Sequence, residues 1–230
     1  MSVYVITGVS RGIGFEFLKQ LSEDPMNLVV GLVRDKAGTE KKAAAELGDR
    51  PNIHILHGDL TKADNPEELE KVVADLTQTN VVGNIHLFNL FLPLVLKGKA
   101  KKVIALTTGL ADVGMTNSFE VDISGLYAAS KAALNMIASK FNVQYKKDGV
   151  LFISISPGVV EVAQYDNITP EQQQGLMGFM GKVAAYSPDF KGPITPEQSV
   201  KQVRATWEKA SIDTGFGGAF VSHHGDKNWI

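Results

Sequence analysis

Val3-Tyr4-Val5-Ile6-Thr7-Gly8-Val9-Ser10-Arg11-Gly12-Ile13-Gly14 decides the fold. Val3 to Ile6 is β-branched, aromatic and apolar and reads as a strand, and the amphipathic run from Ile13 to Glu23 reads as a helix. Between them the glycines at 8, 12 and 14 permit a tight turn and a close backbone approach, in front of a helix whose first N–H groups have no partner of their own. Strand, glycine turn and helix N-terminus in that order build a site for a pyrophosphate, with Gly8, Ser10, Arg11, Gly12, Ile13 and Gly14 as its cradle. The spacing Thr-Gly-x-x-x-Gly-x-Gly departs from Gly-x-Gly-x-x-Gly and alone could be a structural turn. The strand before it and the helix after it are the context that anion binding requires.

Outward from this unit, the pattern predicts further strands over Leu28 to Val33, Ile53 to His57, Lys102 to Thr107, Leu151 to Ser156 and Ala219 to Val221. Helices are expected over Thr39 to Leu47, Pro66 to Gln78, Val81 to Leu96, Leu126 to Lys146 and Pro196 to Ala210. Alternation of apolar runs with amphipathic helices implies an α/β domain around a parallel sheet buried on both faces. Gly48, Gly98 and Gly149 sit where helices should end, as residues that tolerate positive φ. The stretch 161–193, rich in Gln, Gly and Pro with Met177, Phe179 and Met180 inside it, reads either as a lid over a ligand or as a surface loop with a short helix.

Composition narrows the chemistry. The chain's 230 residues are 44% apolar, enough for one core and one domain over 1–230. Lys plus Arg number 23 against 25 Asp plus Glu, so no net field draws the protein to nucleic acid or to an anionic membrane. The absence of cysteine removes disulfides, thiolate catalysis and cysteine-bound metals. His223-His224 lacks carboxylates at ligand spacing, so no metal is expected there, and His54 reads as a packed or rim residue. The N-terminus has no basic leader, and Leu87 to Leu96 is short and interrupted by Asn89 and Pro93. A soluble, cytoplasmic protein with a small-molecule ligand is expected.

Tyr127 and Lys131 lie four apart and so share a helix face. A phenol near its usual pKa of about 10 is a poor acid at neutral pH, but a neighbouring ammonium favours phenolate and brings it towards the working range. Such a tyrosine can protonate a carbonyl oxygen as hydride arrives. Two arginines bear on the dinucleotide: Arg11 inside the turn and Arg34 at the end of the second strand suit a ribose 2'-phosphate. Asp35 is the rival, as an acceptor for a free 2'-hydroxyl. The balance favours NADP(H) over NAD(H). Asp59-Leu60 follows the third strand, where the carboxylate can accept from an exocyclic amine or cap the next helix.

The order of Thr7-Gly8-x-x-x-Gly12-x-Gly14, Asp59, Asn80 in Asn-Val-Val-Gly, Tyr127-x-x-Ser130-Lys131 and Ser156-Pro157-Gly158 resembles the short-chain dehydrogenase/reductase family over almost the whole chain. The resemblance implies a Rossmann-type doubly wound parallel sheet that binds a nicotinamide dinucleotide. It makes Tyr127 the acid/base, Lys131 the residue that tunes it and holds the nicotinamide ribose, and Asn80 the support of a proton-relay water. It sets Pro157 and Gly158 beside the nicotinamide and Val160 at a backbone contact to the carboxamide. The stretch from Asn84 through Gly109 and the ending Gly217 to Ser222 look most like fungal carbonyl reductases of the family. The matching helices pair between subunits there, so Val81 to Leu96 and Leu126 to Lys146 imply a homodimer or homotetramer. The activity implied is reduction of a ketone or aldehyde, with a non-redox, regulatory or inactive member as the alternative.

Three departures stand out. The serine that orients substrate in the family is replaced in Ala105-Leu106-Thr107-Thr108-Gly109 by Thr108, which keeps a hydroxyl, and the following loop 110–124 is longer than usual. Val162 replaces a threonine near the cofactor amide. No Asn-Asn-Ala-Gly segment or fourth strand is found before Asn80, and roughly thirty residues of strand, turn and helix start are missing. A buried parallel strand cannot be lost without leaving its neighbours' N–H and C=O groups unpaired. Three accounts follow: a segment is missing or deleted, the two flanking strands pair directly, or part of 79–90 serves as a strand.

Overall fold

The computed structural model describes residues 2–58, 68–161 and 170–230. Its elements are β1 (Val3–Thr7), α1 (Gly12–Leu21), β2 (Leu28–Val33), α2 (Lys36–Leu47), β3 (Ile53–His57), α3 (Glu68–Thr77), α4 (Gly83–Lys97), β4 (Lys102–Leu106), α5 (Val113–Ser118), α6 (Gly125–Tyr145), β5 (Leu151–Ser156), α7 (Pro170–Tyr186), α8 (Pro196–Lys209) and β6 (Phe220–Ser222). All six expected strands are present, and every strand pair is parallel.

β5 shows why such a sheet needs helices on both sides, since all six of its residues are buried. Leu151, Ile153 and Ile155 face a cluster with Val200 and Val203 of α8 and Leu18 of α1, whereas Phe152 faces Phe88 of α4 and Leu134 of α6. The strand period of two sends alternate residues to opposite layers.

The strands form two sheets, β1-β2-β3 and β4-β5-β6, and among the described residues no strand joins β1 to β4. This corrects the expectation that every strand is buried on both faces. Tyr4 and Ile6 pack on the shared core, but Val3 is 60% exposed and Val5 39% exposed. The register places Val5 beside Val30 and His54, and Leu32 beside Leu56, so this open face runs across the whole first sheet. The cause is a missing layer: α3 packs against α6, and no described helix covers that face. Two of the three accounts of the fourth strand fall with these observations. The flanking strands do not pair directly, and 79–90 is helical.

That helical stretch departs from expectation in another way. α3 and α4 are joined without a break through a π-helical turn at Gln78–Val82, giving one helical run from 68 to 97. Within it Val72–Lys97 is long and apolar enough to cross a membrane by length and composition, beyond the short run read from the sequence. Asn80, buried in the π turn and bonded to Ser130 of α6, ties the run to the domain instead.

Two smaller corrections concern irregular segments. Gly98 ends α4 with φ of −73°, so no positive φ is used there, unlike Gly48 and Gly149. Within 161–193 the structure has a 17-residue helix, α7, rather than a loop with a short helix; residues 162–169 lie outside the described residues. α7 is held by its apolar side, where Phe179 and Tyr186 join Met115, Val121 and Trp229.

Candidate active site

The glycine turn uses its three glycines for different reasons. Gly8 (φ +72°) and Gly12 (φ +59°) occupy the left-handed region, and a Cβ on Gly14 would overlap the Gly8 carbonyl. The Gly8 N–H donates to Leu32 O at 2.9 Å, fixing the turn to β2. Arg11 precedes α1 in an extended conformation and gives it no side-chain cap. The N–H groups at Gly12, Ile13 and Gly14 therefore lie in a turn that needs positive φ at Gly8 and Gly12 and leaves no room for a side chain at Gly14, which fits a pyrophosphate.

Ser10, Arg11 and Arg34 are exposed around this turn. Asp35 is occupied: its carboxylate accepts from Gly38 N at 2.9 Å and caps α2. Lys42 of α2 was missed by the sequence reading. Its ammonium lies 3.3 Å from Ser10 O and 4.2 Å from the Phe15 ring centroid, which brings a further cation to the turn. No sequence spacing relates residue 42 to residue 10. Asp59, Leu60 and Val162 lie outside the described residues.

The second half of the site is carried by β4, α6 and the turn after β5. Thr108, partly buried, follows β4, and its hydroxyl accepts from Leu110 N at 3.3 Å to cap a short 3-10 turn. Tyr127 stands in the first turn of α6, about one-third exposed, with the Lys131 ammonium 5.9 Å from its ring centroid. Lys131 donates to Leu106 O at 3.0 Å, which sets the Tyr127–Lys131 turn beside the strand end that carries Thr108. In the β4–β5 ladder Thr107 N–H points at Ile155 O, so the Leu106 carbonyl points to the open edge of β4. Lys131 thus satisfies one of the groups that an adjoining strand would have paired.

This engagement corrects the simple expectation for the pair. Burial pushes the Tyr127 phenol up from its ordinary value, and burial pushes the Lys131 ammonium down to about 8. With the ammonium on a carbonyl rather than on the phenol oxygen, desolvation governs both groups.

Asn80 is brought to the same helix. Its Nδ2 donates to Ser130 Oγ at 2.9 Å, and Ser130 Oγ donates to the Tyr127 carbonyl at 2.8 Å. The π-helical turn swings Asn80 towards α6, and Asn84 Nδ2 donates to the Asn80 carbonyl at 3.0 Å. Asn80 is therefore a buried residue whose amide is engaged by Ser130. After β5, Pro157 and Gly158 (φ +84°) turn the chain, and Val160 forms a parallel bridge with Ile194. Val159 O and Glu161 N make the bonds to Ile194, leaving the Val160 N–H and C=O directed to the opposite side.

The family description that matches is short chain dehydrogenase, over residues 2–76 and 66–173. The chain belongs to the short-chain dehydrogenase/reductase family. The two matched stretches overlap at 66–76, shortly before Asn80, where the sequence lacks the segment that would carry a fourth strand. The short-chain dehydrogenase/reductase iacC of Pestalotiopsis fici is 56% identical, covering 100% of both chains, in an alignment of 272 positions against 230 residues here. The short chain dehydrogenase virK of Hypocrea virens is 48% identical over 271 positions, again covering 100% of both. Among solved structures, NADPH-bound carbonyl reductase from chicken fatty liver superposes with a TM-score of 0.73 at 18% identity, covering 98% of this chain and 97% of that one, a likeness of fold. As a member of this family the protein is an oxidoreductase with a Rossmann-type fold.

Proposed function

We propose that the protein is an NADP(H)-dependent reductase of a small ketone or aldehyde. The observation that carries this reading is the Tyr127–Lys131 turn set by the Leu106 bond beside Thr108. Gly8, Ser10, Arg11, Gly12, Ile13 and Gly14 hold the pyrophosphate, with Asp59 and Leu60 at the adenine side. Lys131, Pro157, Gly158 and the free backbone face of Val160 hold the nicotinamide half. Bound there, the reduced nicotinamide supplies hydride to the carbonyl carbon. Thr108 and Tyr127 hold the carbonyl oxygen, and Tyr127 gives it the phenolic proton. Lys131 keeps a positive charge beside the phenolate that remains, and Asn80 holds the first turns of α6 through Ser130. α7, within the stretch 161–193, is the lid over the substrate.

A second reading is supported by the edge of β1, beside which no strand lies among the described residues: lacking that wall of the cleft, the chain is a non-redox, regulatory or inactive member of the fold. Titration with NADPH, followed by nicotinamide fluorescence, separates the two. Saturable binding together with consumption of NADPH in the presence of benzaldehyde, acetophenone or 2,3-butanedione supports the reductase. Absence of saturable binding rejects it.

The preference for NADP(H) rests on Arg11, Arg34 and Lys42 around the turn and on the engagement of Asp35 in capping. Arg34→Ala should reduce the NADPH over NADH preference by about tenfold, the loss of one charge-assisted contact. An unchanged ratio of the two dissociation constants would remove Arg34 as a phosphate ligand.

A homo-oligomer, dimer or tetramer, is supported by unpartnered apolar residues on two helices: Leu90 and Leu94 on α4, and Met136 and Val143 on α6. Leu94→Glu should shift the sedimenting species towards the monomer. The same mass as wild type at low concentration would count against this face.

A further inference from the structure

The turns that carry Thr108 and Pro157 end in glycines that have no room for a side chain, and the obstacle in both cases belongs to the C-terminal segment. A Cβ on Gly158 would stand 2.8 Å from His223 Cε1 and 3.1 Å from both ring nitrogens. A Cβ on Gly109 would stand 2.7 Å from Trp229 Cβ and 3.0 Å from Cγ. His223 and Trp229 are both buried. We propose that the segment from His223 to Trp229 is the rear wall of the site, with His223 setting the position of the Pro157–Gly158 turn and Trp229 that of the Thr108–Gly109 turn. The assignment rests on the reductase reading for its effect on ligands.

The wall is itself held from behind. Thr206 Oγ1 of α8 donates to His223 O at 2.7 Å, and Ser199 Oγ of the same helix donates to Pro157 O at 2.7 Å, so α8 spaces the ring from the turn. At the other end, Trp229 N–H donates to Tyr186 Oη at 3.1 Å, Tyr186 Oη donates to Lys227 O at 3.1 Å, and Trp229 stacks on Phe220 at 4.3 Å. The Gly109 N–H donates to Ser156 Oγ at 2.9 Å, which links the two turns directly. The His223 ring acts by shape. Its Nδ1 has no partner among the described residues, and burial, with His224 beside it, holds its pKa down to about 4 against the opposing pull of Asp226, so it stays neutral at working pH.

His223 and Trp229 are positioning residues, and two alanine variants read them separately. Backbone hydrogen exchange followed by mass spectrometry is measured over 154–161 and 105–112, with NADPH affinity by fluorescence titration and kinetics on 2,3-butanedione. His223→Ala should speed exchange in 154–161 alone and weaken NADPH binding about tenfold, and His223→Phe, which restores a flat ring, should recover most of the loss. Trp229→Ala should speed exchange in 105–112 alone, leave NADPH affinity unchanged and raise KM for the diketone about tenfold, with recovery in Trp229→Phe. Equal loosening of both windows by either variant, or of neither, overturns the proposal. So does local loosening with unaltered NADPH affinity and KM. Should wild-type protein fail to bind NADPH, the reductase reading falls, and the exchange pattern alone decides whether the wall positions the turns.

Discussion

Tyr127→Phe should lower the rate of carbonyl reduction by about a thousandfold or more while leaving NADPH affinity within about twofold, the pattern of a lost proton donor. The aromatic ring remains, so packing on α6 is kept, and only the hydroxyl that delivers the proton to the substrate oxygen is removed. Comparable turnover in that variant would reject Tyr127 as the acid. Lys131→Met tests the partner from the other side. Burial lowers the pKa of the ammonium to about 8 from its ordinary 10.5, so the folded state holds the proton less tightly than the unfolded chain. Below pH 8 the full cost of the buried charge is present, and it is relieved as pH rises from 8 towards 10.5. Lys131→Met should therefore stabilise the protein at pH 7 by on the order of 2 kcal/mol while impairing reduction, and the gain should vanish above about pH 10. A variant less stable than wild type at pH 7 would show that the Leu106 bond outweighs desolvation.

What was legible in the sequence follows from the range of the interactions. The glycine turn and the Tyr127–Lys131 pair are local: φ at Gly8 and Gly12, and one turn of α6, are set by residues a few positions apart. The open face of β1 was not legible. The missing fourth strand shows in the sequence as the segment lacking before Asn80, but Val3 and Val5 have the same β-branched character whether a covering layer exists or not, so their exposure does not show there. α7 was hidden by Gly175, Gly178 and Gly181, which depress helix propensity, and it is held by Phe179 and Tyr186 against the C-terminal tail. Lys42 at Ser10, and Trp229 behind Gly109, are contacts across 32 and 120 positions that no periodicity records.

The split sheet makes two buried-looking valine and isoleucine positions respond very differently to charge. Val5→Lys should cost less than about 1 kcal/mol in urea unfolding, because the side chain leaves the open face for water. Ile153→Lys should cost more than about 4 kcal/mol, because Ile153 is fully enclosed between α1, α8 and its neighbouring strands. The backbone gives a matching signature. Gly8 N–H bonds Leu32 O and Ser2 O accepts from Leu28 N, so the even-numbered residues of β1 face β2, and the N–H groups of Val3, Val5 and Thr7 face the open edge. Val5 and Thr7 amides should exchange with solvent far faster than those of Tyr4 and Ile6, where a strand paired on both sides would protect all four. If Val5→Lys proved as damaging as Ile153→Lys and the four amides were equally protected, β1 would lie in the middle of a continuous sheet. The second reading of the function would then lose its support, since the wall of the cofactor cleft would be in place. Fast exchange at Val5 and Thr7 that slows when NADPH is added would instead show ligand binding drawing the two sheets together, which links the stability of the cleft to its occupancy.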